Sequence, residues 1–416
     1  MAALAALAVT VLVAGCGGGD GGGGSDEGAA SRGPITYVQG KDNSNVVRPL
    51  LEKWNSAHPD EKITFKEQSE NADQQHDDLV QHFQAKDPDY DVTSVDVIWT
   101  AEFAAKGWLQ PLKDSFALDT SKLLPATVAT STYNKTLYAA PQTSDGGMLY
   151  YRTDLVPNPP KTWDEMMSMC SIAKKNNMDC YAGQFFKYEG LTVNAAEAIN
   201  TDGGVIVGED GKTPQVNTPQ AAAGLGRLAE AYKNGNIPRQ GITYKEEESR
   251  RSFQAGKLLF LRQWPYVFNL ASTEGGSKVK GKFDVAPLPG TSGTGKSSLG
   301  GHNAAISAYS DHKATAIDFL KFLTNEESQR WFVTQGSLAP ALASLYDDKE
   351  LAKKYPYLPV LKTSILNAVP RPVTPFYPAV TKAVQDNAYA AIKGDKAVQQ
   401  ALTDMQAAIT AASSTG

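Results

Sequence analysis

Val95-Asp96-Val97-Ile98-Trp99 is a short run in which a single acid interrupts apolar residues. So brief and so apolar a run reads as a strand covered on both faces, as parallel strands are. Working outward from it, Ile35-Thr36-Tyr37-Val38 reads as a first strand, followed by a polar loop from Gln39 to Asn45. Val46, Val47, Leu50, Leu51 and Trp54 then fall on one face of a helix. Ile63-Thr64-Phe65 reads as a second strand, and Asp77 to Phe83 as helical. Strands alternating with helices in this way predict an α/β fold.

Local signals extend the pattern. Thr162 and Glu165 make a T-x-x-E capping box, with Met166, Met169, Cys170 and Ala173 following on one helix face. Thr218-Pro219 supplies an N-cap with proline at the first helical position, and Gly235 closes that helix. A helix from Ser310 carries Ile317, Leu320 and Leu323; another runs from Tyr377 to Ile392 and stops at Gly394. A chain of 416 residues, 41% hydrophobic, has material for two cores and suits two lobes. Lys+Arg 40 against Asp+Glu 45 leaves −5, which disfavours nucleic acid and anionic membrane faces as partners. Five His and three Cys, scattered, exclude a zinc finger or an iron–sulfur cluster, and no cofactor or metal is expected.

The N-terminus reads as an address. Met1 to Gly15 is apolar throughout but shorter than the roughly 20 residues a spanning helix needs, so it reads as the core of an export signal peptide, residues 1–15. Val13-Ala14-Gly15-Cys16 resembles the lipobox of bacterial lipoproteins, in which the cysteine is acylated and anchors the protein to the outer face of the cell membrane. No Lys or Arg precedes Arg32, whereas such a signal opens on positive charge, so the start is expected upstream. Residues 16–33 are Gly/Ser-rich and read as a flexible tether. In an oxidising, extracytoplasmic setting Cys170 and Cys180 are expected to pair as a structural disulfide.

Gly290-Thr-Ser-Gly-Thr-Gly295-Lys296-Ser297 matches the phosphate-cradling G-x-x-x-x-G-K-[ST] pattern. That mechanism needs a helix starting at the lysine. Here Gly300-Gly301 and the strand-like Ala304-Ala305-Ile306 follow, so the segment reads as a surface loop.

Several segments, in order and at matching spacing, resemble one family along nearly the whole mature chain. They are Asp96-Val-Ile-Trp-Thr-Ala-Glu-Phe103 with Gly107-Trp108-Leu109, Leu137-Tyr-Ala-Ala-Pro141, Tyr150-Tyr-Arg-Thr-Asp-Leu155, Trp264-Pro-Tyr266, Gly300-Gly301 and Arg371-Pro-Val-Thr-Pro-Phe-Tyr377. The chain resembles the carbohydrate-binding lipoproteins of bacterial ABC importers, of the maltose/trehalose-binding type. The resemblance implies a two-lobed periplasmic-binding-protein-like fold, class II, with the ligand cleft between lobes. It places residues 34–146 and 284–334 in the N-terminal lobe, and 147–283 and 335–416 in the C-terminal lobe. It also implies a monomer that takes a disaccharide or oligosaccharide, trehalose first, and delivers it to permease subunits.

A sugar offers hydroxyls around its rim and C–H patches on its faces, so its site needs carboxylates, amides, an Arg fork and aromatic rings. Asp96 matches an acidic pocket position of the family and Asp145 one that carries Asp or Asn; the plainer readings are a backbone-capping acid and a turn residue. Asp42 and Asn43 share the first strand–helix loop, where the family places one polar pocket residue, and either could instead serve a turn. Trp264, held extended before Pro265, suits a stacking platform with Tyr266 beside it; the alternative is core packing. Arg371, fixed between two prolines, suits a hydrogen-bonding fork or an interlobe salt bridge, and Tyr377 could close the cleft from the same segment. Gly301 permits close backbone approach. His302 stands where many relatives carry Trp or Leu. Glu246 matches a pocket acid, although the run Glu246-Glu247-Glu248 also reads as a solvated helix face. The carboxylates leave a second function class open, a secreted glycoside-processing enzyme with two acids across a scissile bond.

Overall fold

The computed structural model describes residues 31–414. The signal peptide 1–15, the lipobox cysteine Cys16 and most of the tether lie outside the described residues. Ile63–Glu67, Ile35–Gln39, Val92–Asp96, His302–Ile306 and Ala139–Pro141 form a first sheet in that order. Its first three strands are parallel; His302–Ile306 runs antiparallel to both neighbours. Phe283–Pro287, Met148–Arg152, Leu258–Gln263 and Asp179–Ala182 form a second sheet. Its two inner strands are buried at every residue, because helices cover both faces.

A small third sheet, Val369–Pro370, Ser298–Gly300 and Asp145–Gly146, joins the two lobes. Asp145–Gly146 lies between the first-sheet strand ending at Pro141 and the second-sheet strand starting at Met148. Ser298–Gly300 makes the return passage, between Pro287 and His302. The chain therefore crosses at strands that are hydrogen-bonded to one another, and the cleft lies beside them.

Locally encoded helices form where their signals stand. Val47–Ala57 buries Val47, Leu50, Leu51 and Trp54. The Thr162–Glu165 capping box is present, Thr218 caps Pro219–Lys233, and Gly394 ends Tyr377–Lys393 at φ 83°, the left-handed region that glycine adopts freely. Cys170 and Cys180 are joined in a disulfide that ties the end of one helix to the strand Asp179–Ala182.

Four expectations are corrected. The strand expected at Val95–Trp99 is Val92–Asp96. Val97, Ile98 and Trp99 form a turn into the helix Thr100–Ala105, with the Trp99 N–H donating to the Asp96 carbonyl at 2.9 Å. All three are buried, and burial rather than strand geometry explains their apolarity. The helix expected from Asp77 begins at Ala72, because Asn71 accepts from the Gln74 N–H and caps it there. The lobe boundary at 284 falls inside Phe283–Pro287, which pairs antiparallel with Met148–Arg152; the return to the first sheet comes later, at Ser298–Gly300. The end of the tether is attached: Arg32 pairs with Glu61 and Asp318 across the first lobe. The Gly290–Ser297 loop leads into a strand, so no helix N-terminus faces it.

Candidate ligand-binding cleft

A cavity of about 230 Å³ opens between the lobes. The first sheet contributes Asp96 and His302, which are register partners on adjacent strands. The crossing strands contribute Asp145, Gly300 and Gly301, and the second lobe contributes Glu246, Trp264 and Tyr266. Arg371 enters just after Val369–Pro370. Gly301 holds φ +112°, and a Cβ there would collide with the Thr143 carbonyl, so the backbone bares itself to the cavity where only glycine fits.

Arg371 is 4% exposed and its fork is divided. Nη1 donates to Glu189 Oε1 at 2.6 Å, Nη2 donates to Asp96 Oδ1 at 3.1 Å, and the buried Nε has no hydrogen-bond partner among the described residues. It lines the cavity and forms the interlobe salt bridge, the alternative reading of this residue. Asp96 accepts from the Ile98 N–H with the same Oδ1, at 3.2 Å. Beside it, burial pushes the His302 imidazole below its ordinary range and favours the neutral ring.

Asp145 is different. Its carboxylate has no hydrogen-bond partner among the described residues, and burial together with Asp96 pushes it up to about 7 against the pull of Arg262. A part-buried acid without a donor is costly, and a hydroxyl entering the cavity would satisfy it. Nearby, the Arg262 guanidinium lies 3.9 Å from the centre of the Trp264 ring. Arg262 is itself clamped by Glu197, at 2.8 Å from Nε and 2.6 Å from Nη2. The indole edge packs on Gly300, where a Cβ would stand 2.9 Å from two ring carbons. Trp264 is therefore an oriented, part-exposed wall of the cavity.

The run Glu246-Glu247-Glu248 is divided among three tasks, which corrects its reading as a solvated face. Glu246 lines the cavity and accepts from the Tyr188 hydroxyl at 2.5 Å; burial raises its carboxyl. Glu247, 3% exposed, pairs with Arg250 and accepts from the Tyr266 hydroxyl at 2.9 Å. Glu248 caps its helix by accepting from the Lys245 N–H. Asp42 and Asn43 both line the cavity, but Asp42 spends Oδ2 on the Val47 N–H at 2.8 Å, at the entry to the first helix. No such duty holds the Asn43 side chain among the described residues. Tyr377 is set back from the cavity, a correction to its expected place. It belongs to a hydrophobic cluster of the first lobe that includes Val38, Val95 and Trp99, and its hydroxyl donates to Glu189 Oε1 at 2.6 Å.

Glu189 was not singled out by the sequence reading. It opens the helix Glu189–Thr201, lines the cavity, and is held by Arg371, Tyr377 and Thr381. Burial nevertheless pushes it up to about 7. The one signal in the sequence is an acid at the mouth of a helix otherwise rich in buried small and apolar residues. Among the described residues no group of His, Cys, Asp and Glu is arranged to hold a metal ion.

Comparison with known proteins agrees with this geometry. The family model for bacterial extracellular solute-binding proteins matches residues 39–330. A probable ABC transporter-binding protein of Deinococcus radiodurans is 36% identical over 308 residues, 71% of this chain and 72% of that protein. A maltotriose-binding protein of Pyrococcus abyssi is 25% identical over 349 residues, 82% of this chain and 73% of that one. Among solved structures, maltose-bound T. maritima MalE3 superposes with a TM-score of 0.85 at 30% identity, covering 90% of this chain and 98% of that one. The GacH receptor of Streptomyces glaucescens, solved unliganded and with acarbose, shares the fold at a TM-score of 0.80 and 21% identity, with 92% and 98% covered. With two lobes, strand crossings between them and a polar, aromatic-walled cleft at the crossings, the chain belongs to the bacterial extracellular solute-binding proteins.

Proposed function

We propose that this protein captures an α-linked glucoside, such as trehalose or maltose, and delivers it to the permease of an ABC importer without altering it. The observation that carries the reading is the pairing, in one cleft, of an unpartnered carboxylate at Asp145 with an indole wall at Trp264. The first suits the hydroxyl rim of a sugar and the second its C–H face. Asp96, Asn43, Glu246, His302 and Arg371 supply further polar contacts from both lobes, so a ligand touching both favours their closure. The maltose and maltotriose named for two relatives support a glucoside. Cys16, acylated, holds the protein at the outer face of the cell membrane through the Gly-rich tether.

Calorimetric titration and thermal shift against trehalose, maltose and maltotriose test this. A bound sugar raises the melting temperature, since it favours the native state alone, and no free glucose accumulates on incubation. Absence of binding to the whole panel, or release of glucose, overturns the proposal. The anchor is tested separately: Cys16→Ser, expressed behind a complete signal, is expected in the soluble fraction and unlabelled by radioactive fatty acid.

A further inference from the structure

Two acids of the first lobe converge on one residue of the second. Asp73 stands in the first turn of Ala72–Gln84, the helix between two strands of the first sheet. Its Oδ1 accepts the backbone N–H of Glu189 at 3.1 Å, and its Oδ2 faces Gln385 Nε2 at 3.4 Å. Asp96 reaches the carboxylate of the same Glu189 through the divided fork of Arg371. Glu189, Thr381 and Gln385 belong to helices whose buried faces pack with the second sheet.

The first N–H groups of a helix have no acceptor within it. Tyr188, the N-cap of Glu189–Thr201, offers no side-chain oxygen to them. Asp73 supplies the missing cap from the opposite lobe. When the lobes part, that carboxylate and that N–H return to water, so the contact exists in one conformation only. A contact made in only one of two conformations shifts the equilibrium by its full differential worth. Asp73 is not among the residues lining the cavity.

We propose that Asp73 is a positioning residue for capture, capping the Glu189 helix across the closed cleft and so raising ligand affinity without touching the ligand. The inference rests on the reading of the cleft as a closing ligand site. In titrations of the full-length mature protein with maltose and trehalose, Asp73→Ala weakens binding about fivefold, the worth of a typical N-cap. The loss lies in faster release by stopped flow, and the melting temperature of the sugar-free protein is unchanged. Asp73→Asn keeps an acceptor oxygen and restores affinity to within about twofold, asparagine being as good a cap as aspartate. Wild-type affinity in D73A, equal losses in D73A and D73N, or a fall in sugar-free melting temperature that matches the binding loss overturns the proposal. A wild type that binds neither sugar refutes the sugar reading instead. Amide hydrogen exchange at Glu189 in protein held closed by an interlobe crosslink then decides the cap: exchange slower in wild type and D73N than in D73A supports it, and equal exchange in all three overturns it.

Discussion

Arg262 and Arg371 are exposed by only 1% and 4%, and both pair with carboxylates, yet their partners lie on different sides of the cleft. Arg262 gives two parallel hydrogen bonds to Glu197, and both residues belong to the second lobe. Its remaining Nη1 donates to Gln184, 3.2 Å away in the same lobe. Arg371 divides its fork between Glu189 of the second lobe and Asp96 of the first. The first pair is therefore independent of lobe position, whereas half of the second joins the lobes and, under the proposed closure, would be made and unmade with it. Buried charge within a lobe acts on folding; buried charge across the cleft acts on binding.

The largest effect that can break this comparison is on stability. Arg262→Met leaves Glu197 buried without its cation. Removing one member of a buried pair typically costs about 3–5 kcal/mol, and the sugar-free protein should lose that much in denaturant unfolding. A loss below about 1 kcal/mol would mean that water reaches Glu197 and that the pair is not the fixed element described here. Trp264→Ala comes next and acts on the opposite quantity. The indole is part-exposed, so unfolding should change little, while affinity for the bound sugar falls about 30-fold or more, as for a central aromatic contact. Full-scale loss of stability with affinity retained would make Trp264 a core residue. Arg371→Met should lower affinity about tenfold and sugar-free stability by no more than about 1 kcal/mol, because Tyr377 and Thr381 still hold Glu189 within the second lobe. A stability loss equal to that of R262M would erase the distinction between the two arginines.

How much of this could be read in the sequence follows from how local each signal is. The caps at Thr162 and Thr218 and the stop at Gly394 are written within a few residues, and they stand where expected. Val97-Ile98-Trp99 misled because a buried turn and a buried strand demand the same apolar side chains. Asp96 was legible as an acid out of place in an apolar run, and Asp145 only through the family resemblance. Glu189 was not, because three of its partners, Arg371, Tyr377 and Thr381, lie more than 180 residues away in the chain. The division of labour between Asp42 and Asn43 depends on which one turns toward the Val47 N–H, a matter of backbone path that composition does not carry.

The smallest predicted effect concerns Asp145 and extends the comparison from arginines to acids. Asp145 sits at the crossing strands, close enough to Asp96 to be repelled by it and near enough to Arg262 to be partly relieved. In the described conformation burial and Asp96 push its carboxyl up to about 7, whereas lobes parted under the proposed closure would let water return it toward the ordinary aspartate value of about 4. The closed form therefore binds more protons than the open one between these values. By linkage, the share of Asp145 in closure is favourable at low pH, weakens as pH rises from about 4 to about 7, and is flat beyond, while His302, lowered by burial, contributes with the opposite sign. A sugar hydroxyl donating to the carboxylate removes the penalty, so at neutral pH closure comes to depend on ligand. Small-angle scattering of the sugar-free protein from pH 4 to 8 should show the radius of gyration increasing with pH more steeply in wild type than in D145N. Asp145→Asn should flatten the curve by the share of this residue, Glu189 keeping its own. An identical pH profile in wild type and D145N would show that Asp145 is hydrated in both conformations.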